Sequence, residues 1–133
     1  GDVVVFGGTS FGAPGRSYVK RVIGVAGDRV TCCDEKGRLT VNGRPLDERA
    51  YLHRGDTASE LRFDVEVPDG ALWVMGDHRS RSRDSRAYLG APGGGAVPVD
   101  DVVGRVMGIV WPLSRLTGLP SYAGPTLGEG RTP

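Results

Sequence analysis

Lysine is nearly missing from this chain: Lys20 and Lys36 stand against fifteen arginines in 133 residues. Cysteine is confined to the adjacent pair Cys32-Cys33, histidine to two residues, and aromatics to 7% of the composition. No CxxC or His-rich spacing points to a metal, and no apolar run approaches the roughly 20 residues of a membrane-spanning helix. A formal net charge of +1 gives no general drive towards nucleic acid. Neighbouring side chains on a strand point to opposite faces, so a bridge between Cys32 and Cys33 requires a distorted turn. The pair reads as two small half-buried residues, with pairing to a cysteine beyond this chain as the alternative. No long amphipathic helix is evident either. With 22 Gly and 9 Pro, the remainder is a mainly β chain of short strands and turns.

Val3-Val4-Val5-Phe6 is a short apolar strand ended by Gly7-Gly8, and a loop over 7–16 leads to a second strand from Tyr18 to Val25. Arg29 to Cys33 resumes the sheet, and Asn42-Gly43 after Leu39-Thr40-Val41 is a strong hairpin signal. Phe63 to Val67 alternates as a strand with one wet face does. Leu72-Trp73-Val74-Met75 then delivers the chain to a polar segment, and Val102 to Trp111 is the last apolar strand. Residues 113–119 read as one helical turn or coil, and 121–133 as a mobile Gly/Pro-rich tail. The opening Gly1-Asp2, running at once into a strand, suggests a piece of a longer protein.

Two segments carry chemistry. In Tyr18-Val19-Lys20-Arg21-Val22-Ile23-Gly24, one of the rare lysines lies within an apolar strand. Arginine does not lose its proton in a protein, whereas a desolvated lysine does and then serves as a general base. The bland alternative is a protective lysine on an edge strand. On a strand, Tyr18, Lys20 and Val22 share one face, and Val19, Arg21 and Ile23 the other. The second segment is Gly76-Asp77-His78-Arg79-Ser80-Arg81-Ser82-Arg83-Asp84-Ser85-Arg86. If extended, it sets Ser82, Asp84 and Arg86 on one side, where a hydroxyl can orient a lysine and Asp84 can pair with Arg86. The bland reading is a solvated loop. Its arginines do not make an RNA site, because acids interleave them and aromatics are sparse. His78 reads as an exposed loop residue with no partner. Ser17-Tyr18-Val19-Lys20 matches S-x-x-K in form, but that chemistry needs both side chains on one helical face, and a strand separates them.

These segments resemble bacterial type I signal peptidases. Gly1 to Phe6 resembles their G-D-I-V-V-F strand, Tyr18 to Asp28 their Y-(I/V)-K-R-x-(I/V)-G-x-x-G-D box, and Gly76 to Arg86 their G-D-N-R-x-x-S-x-D-S-R box. Leu39 to Glu48 is similar to the L-x-V-N-G-x-x-x-x-E hairpin, and Val102 to Pro112 also looks familiar. His78 departs from the usual Asn.

The resemblance implies antiparallel sheets over about 1–120, with a β-ribbon inserted at about 31–67. It implies a Ser/Lys endopeptidase that removes signal peptides from exported preproteins after A-x-A. Lys20 would be the general base, held by Ser82. Gly76, Asp77, Asp84 and Arg86 would shape the site, and Val5, Tyr18 and Val19 would line the substrate. The resemblance implies no cofactor or metal, no nucleic-acid partner, and a location at the bacterial cell membrane with the catalytic domain on the extracytoplasmic side. The family's S-M-x-P box and N-terminal anchor are not among these residues, and none of the eight serines sits in such a box. The nucleophile is therefore expected upstream of residue 1, and this chain alone is expected to be inactive. Two alternatives remain at this stage. One is a related Ser/Lys autoprotease of the repressor type, and the other a non-catalytic paralogue that binds peptides by strand addition.

Overall fold

In the computed structural model, residues 1–107 are described. Nine strands form two antiparallel sheets among them. β1 (Val3–Gly8), β2 (Ala13–Val25), β7 (Ala71–Met75), β8 (Val97–Pro98) and β9 (Val102–Arg105) make one sheet, in the order β8-β7-β2-β1-β9. β3 (Arg29–Cys32), β4 (Leu39–Val41), β5 (Arg44–Pro45) and β6 (Phe63–Glu66) make the other, in the order β5-β4-β3-β6. The mainly β, antiparallel class expected from the sequence is what the chain adopts. Among the described residues no helix is long and apolar enough to cross a membrane.

The two-residue strand period sorts side chains between two cores. Val4, Phe6, Val22, Leu72, Val74 and Val97 pack on one face of the larger sheet, with Tyr18 partly buried against them. Ile23, Trp73 and Met75 face the other way and join Val30, Leu39 and Phe63 from the smaller sheet and Val67 just after β6. β7 thus contributes to both cores, which explains its unbroken apolar run. The β4–β5 hairpin turns at Asn42 and Gly43, both with positive φ (54° and 81°), as the primed turn requires. The Asn42 side chain also accepts from the Arg29 N–H and donates to Asp28.

Several expectations change. The loop expected over 7–16 is a single 3-10 turn, Thr9–Phe11, after which β2 begins already at Ala13. Phe11 anchors this turn, stacking on Tyr88 and packing edge-on to Phe6. Cys32 and Cys33 are joined by a disulfide rather than left unpaired; β3 ends at Cys32, so the strand alternation that separated the two side chains stops there. The last strand begins at Val102 as expected. Its expected extension to Trp111, the helical turn or coil over 113–119 and the tail over 121–133 lie outside the described residues.

Candidate active site

The site forms where β7 parts from β2. β2 pairs with β1 along Ala13 to Arg21, but with β7 only from Arg21 to Val25. At Met75 the β7 ladder ends and the polar segment turns away, so Lys20 is the first β2 residue without a β7 partner. Lys20 shares its face with Tyr18 and Val22, and its Cα partner across the β1 ladder is the fully buried Val4.

The turn beginning at Gly76 brings Ser82 back over this position, and Lys20 Nζ donates to Ser82 Oγ at 2.9 Å. Burial lowers the Lys20 pKa below its ordinary 10.5; Asp84 pulls it up and Arg86 pushes it down. Gly76 is required by close approach: a Cβ there would meet Ser82 Oγ and Cβ, the latter at 2.5 Å, and would lie 3.5 Å from Lys20 Nζ.

Behind Ser82 stands a buried ion pair. Arg86 Nε and Nη2 donate to Asp84 Oδ1 and Oδ2 at 2.8 and 2.7 Å. Asp84 also accepts from the Gly76 N–H at 3.0 Å and from the Arg86 N–H. Burial alone would raise the Asp84 carboxyl, but these bonds, the Arg86 charge and the Ser82 hydroxyl outweigh it and hold the carboxyl below 3.8. The three residues are not aligned on an extended stretch as expected. Asp84 is extended and N-caps a 3-10 turn, Ser85–Tyr88, which folds Arg86 back onto its carboxylate.

Asp77 lies apart from Lys20 and pairs in a bidentate manner with Arg21, on the opposite face of β2. Tyr18 shares the face of Lys20, stacked on Phe6. Val5 and Val19 are directly opposite each other on the other face, and Val19 is 56% exposed. His78 is not partnerless: it stacks on His53 with ring centroids 3.7 Å apart, and its Nε2 is 3.9 Å from Asp56. Its stacking partner, His53, lies between β5 and β6, earlier in the chain, and no local pattern around His78 reveals it.

Sequence reasoning missed a second buried pair. Arg79 donates to Glu48 through Nη1 and Nη2 at 3.1 and 2.5 Å, to the Ala58 carbonyl at 2.9 Å, and to the Gly76 carbonyl through Nε at 2.7 Å. Both residues sit inside quoted motifs, yet nothing in their spacing pairs positions 31 residues apart. A cavity of about 1080 Å³ opens on the smaller sheet, lined by Cys33, Arg38, Leu46, Glu48 and Glu60 among others. Neither Lys20 nor Ser82 lines it, so the Lys20–Ser82 contact lies outside this cavity. Among the described residues, no His, Cys, Asp and Glu group is arranged to hold a metal.

A half-buried lysine, its pKa lowered, held by a serine beside a locked Asp–Arg pair, occurs on a β scaffold whose residues 1–111 match the family described as signal peptidase, peptidase S26. The chain belongs to that family. It is 42% identical over 124 aligned residues to a probable signal peptidase I of Mycobacterium leprae, covering 77% of this chain and 42% of that protein. It is 44% identical over 111 residues to signal peptidase I of Mycobacterium tuberculosis, covering 73% and 37%. A crystal structure of a signal peptidase I from Enterococcus faecalis superposes with a TM-score of 0.59 at 27% identity, over 79% of this chain and 92% of that one. The chain therefore spans about two fifths of the length of its mycobacterial relatives.

Proposed function

We propose that this family member carries the general base of a Ser/Lys endopeptidase that removes signal peptides from exported preproteins. The observation that carries the reading is the Lys20–Ser82 contact at a half-buried amine. Neutral Lys20 takes the proton of a serine hydroxyl as that oxygen attacks the scissile carbonyl. The resulting ammonium gives the proton to the departing amine, which leaves with the mature protein. Lys20 then takes a proton from water, whose oxygen attacks the serine ester. The ammonium returns that proton to the departing serine oxygen, so the serine and the neutral amine are regenerated and the signal peptide leaves with a new carboxyl group. Ser82 fixes the direction of Nζ, and Arg86 with Asp84 holds the turn that carries Ser82.

The substrate adds as a strand. Among the described residues, no strand pairs with β2 on the β7 side before Arg21. Because the backbone groups of Val22, Lys20 and Tyr18 turn towards β1, it is the N–H and C=O of Val19 that face this open side and can bond an extended peptide, leading its scissile bond to the amine. An added strand presents side chains alternately to the Tyr18 face and the Val5–Val19 face, and small residues in the A-x-A pattern suit such shallow walls.

The attacking serine belongs to a segment preceding Gly1, together with the membrane anchor, and the site faces the extracytoplasmic side of a bacterial membrane. Incubating a preprotein with the intact protein and with its Lys20→Met variant tests this. Cleavage after A-x-A by the first and none by the second is expected. Turnover by this chain alone would overturn the placement of the nucleophile.

A further inference from the structure

Gly76 is held at both ends. Its N–H bonds Asp84, which Arg86 locks within the same turn. Its carbonyl bonds Arg79 Nε, and Arg79 is locked by Glu48 from the inserted segment between the two sheets' strands. The two clamps are joined, because Arg86 Nη2 donates to the Arg79 carbonyl at 3.0 Å. Glu48 has a further donor in Tyr51, whose hydroxyl reaches Oε2 at 3.0 Å. The Tyr51 ring lies under the guanidinium of Arg21, the chain neighbour of Lys20, at 3.9 Å. Glu48 and Arg79 are only 6% and 4% exposed. The Gly76 platform matters because Ser82 packs directly against it.

We propose that Glu48 is a positioning residue for the reaction: through Arg79 it fixes the Gly76 carbonyl, and so the turn that presents Ser82 to Lys20. The inserted sheet is then part of the catalytic apparatus, although none of its residues touches the reacting atoms. This rests on Lys20 being the base. An unpaired Arg79 would draw away from Gly76 towards water, and the turn over Lys20 would loosen. The charged groups facing Lys20 are Asp84 and Arg86, and burial is the largest influence on it. Loosening admits water, relaxes that burial and lets the amine protonate more readily. Simple loss of a negative charge would have the opposite sign.

The test uses the intact protein with an A-x-A peptide substrate. The variants are Glu48→Gln, Tyr51→Phe, Lys20→Met and, as a control, Asp64→Asn, which removes an exposed ion pair with Arg29 on the same inserted sheet. Each is assayed well below its thermal midpoint. For Glu48→Gln, kcat is expected to fall roughly tenfold or more with KM little changed, and the acid limb of kcat/KM to move to higher pH. Tyr51→Phe shifts both in the same direction by less, and Asp64→Asn shifts neither. A folded Glu48→Gln protein with wild-type kcat, or with an acid limb unmoved or moved to lower pH, overturns the proposal. If Glu48→Gln does not fold, a Tyr51→Phe protein indistinguishable from wild type does so instead. Residual turnover by Lys20→Met defeats the assignment of the base itself; an inactive Lys20→Met beside an unaffected Glu48→Gln defeats only the positioning role.

Discussion

Lys20 Nζ and Ser82 Oγ, 62 residues apart in the chain, meet at 2.9 Å over the backbone of Gly76. This bond uses one N–H of the amine and aims the nitrogen; in the proposed mechanism the lone pair of the neutral amine is left for the attacking serine hydroxyl.

Replacing Ser82 by Ala removes the aim and keeps the amine. A hydrogen bond of this kind is worth about 1.5 kcal/mol, so kcat in the intact protein is expected to fall about tenfold. Lys20→Met removes the base and is expected to leave no detectable cleavage, a loss well beyond roughly a hundredfold. Single-turnover cleavage of a preprotein distinguishes the two losses.

The pH dependence follows from the depressed Lys20 pKa. In the proposed mechanism the neutral amine is the active form, so kcat/KM is expected to rise with pH through that pKa, at a pH below the ordinary lysine value of 10.5. Removing Arg86 takes away a charge that lowers it, so Arg86→Met moves the rise to higher pH. A pH–rate profile of both proteins checks the sign.

Gly76→Ala tests the close approach without touching a charge. The added methyl meets Ser82 before anything else. Overpacking of this kind costs about 1–3 kcal/mol, and the serine must move off the lysine. A modest fall in thermal midpoint with a disproportionate fall in kcat is expected.

Asp84 links the site to acid stability. Its carboxyl is held below its unfolded value of 3.8, so its contribution is complete above that value and is lost as pH falls through the lower folded value. Removing one partner of a buried pair costs about 3–5 kcal/mol. Arg86→Met is therefore expected to unfold at clearly lower denaturant concentration at neutral pH, with the difference narrowing in acid, as equilibrium denaturation at several pH values will show.

Much of this was legible in the residues. The two-residue period of a strand fixed the faces of β2, leaving Lys20 beside Tyr18 and Val22 whatever surrounds it. The Asn42-Gly43 turn was equally plain, since only such residues accept positive φ there. What stayed hidden depends on contacts between distant segments. The pairing of Glu48 with Arg79 and the stacking of His53 on His78 arise only when the stretch between β5 and β6 packs on the Gly76 turn. The fold of that turn was misread for a related reason: Asp84 capping a 3-10 turn replaces the alternation that an extended segment would show.

The most direct measurement is the titration of the Lys20 side-chain nitrogen in the intact protein. It is followed by 15N NMR of labelled lysine and assigned by loss of the signal in Lys20→Arg. A midpoint clearly below 10.5 that moves up in Arg86→Met is the expected result. A midpoint at or above the ordinary lysine value would leave the amine charged at working pH, and Lys20 would not be the base.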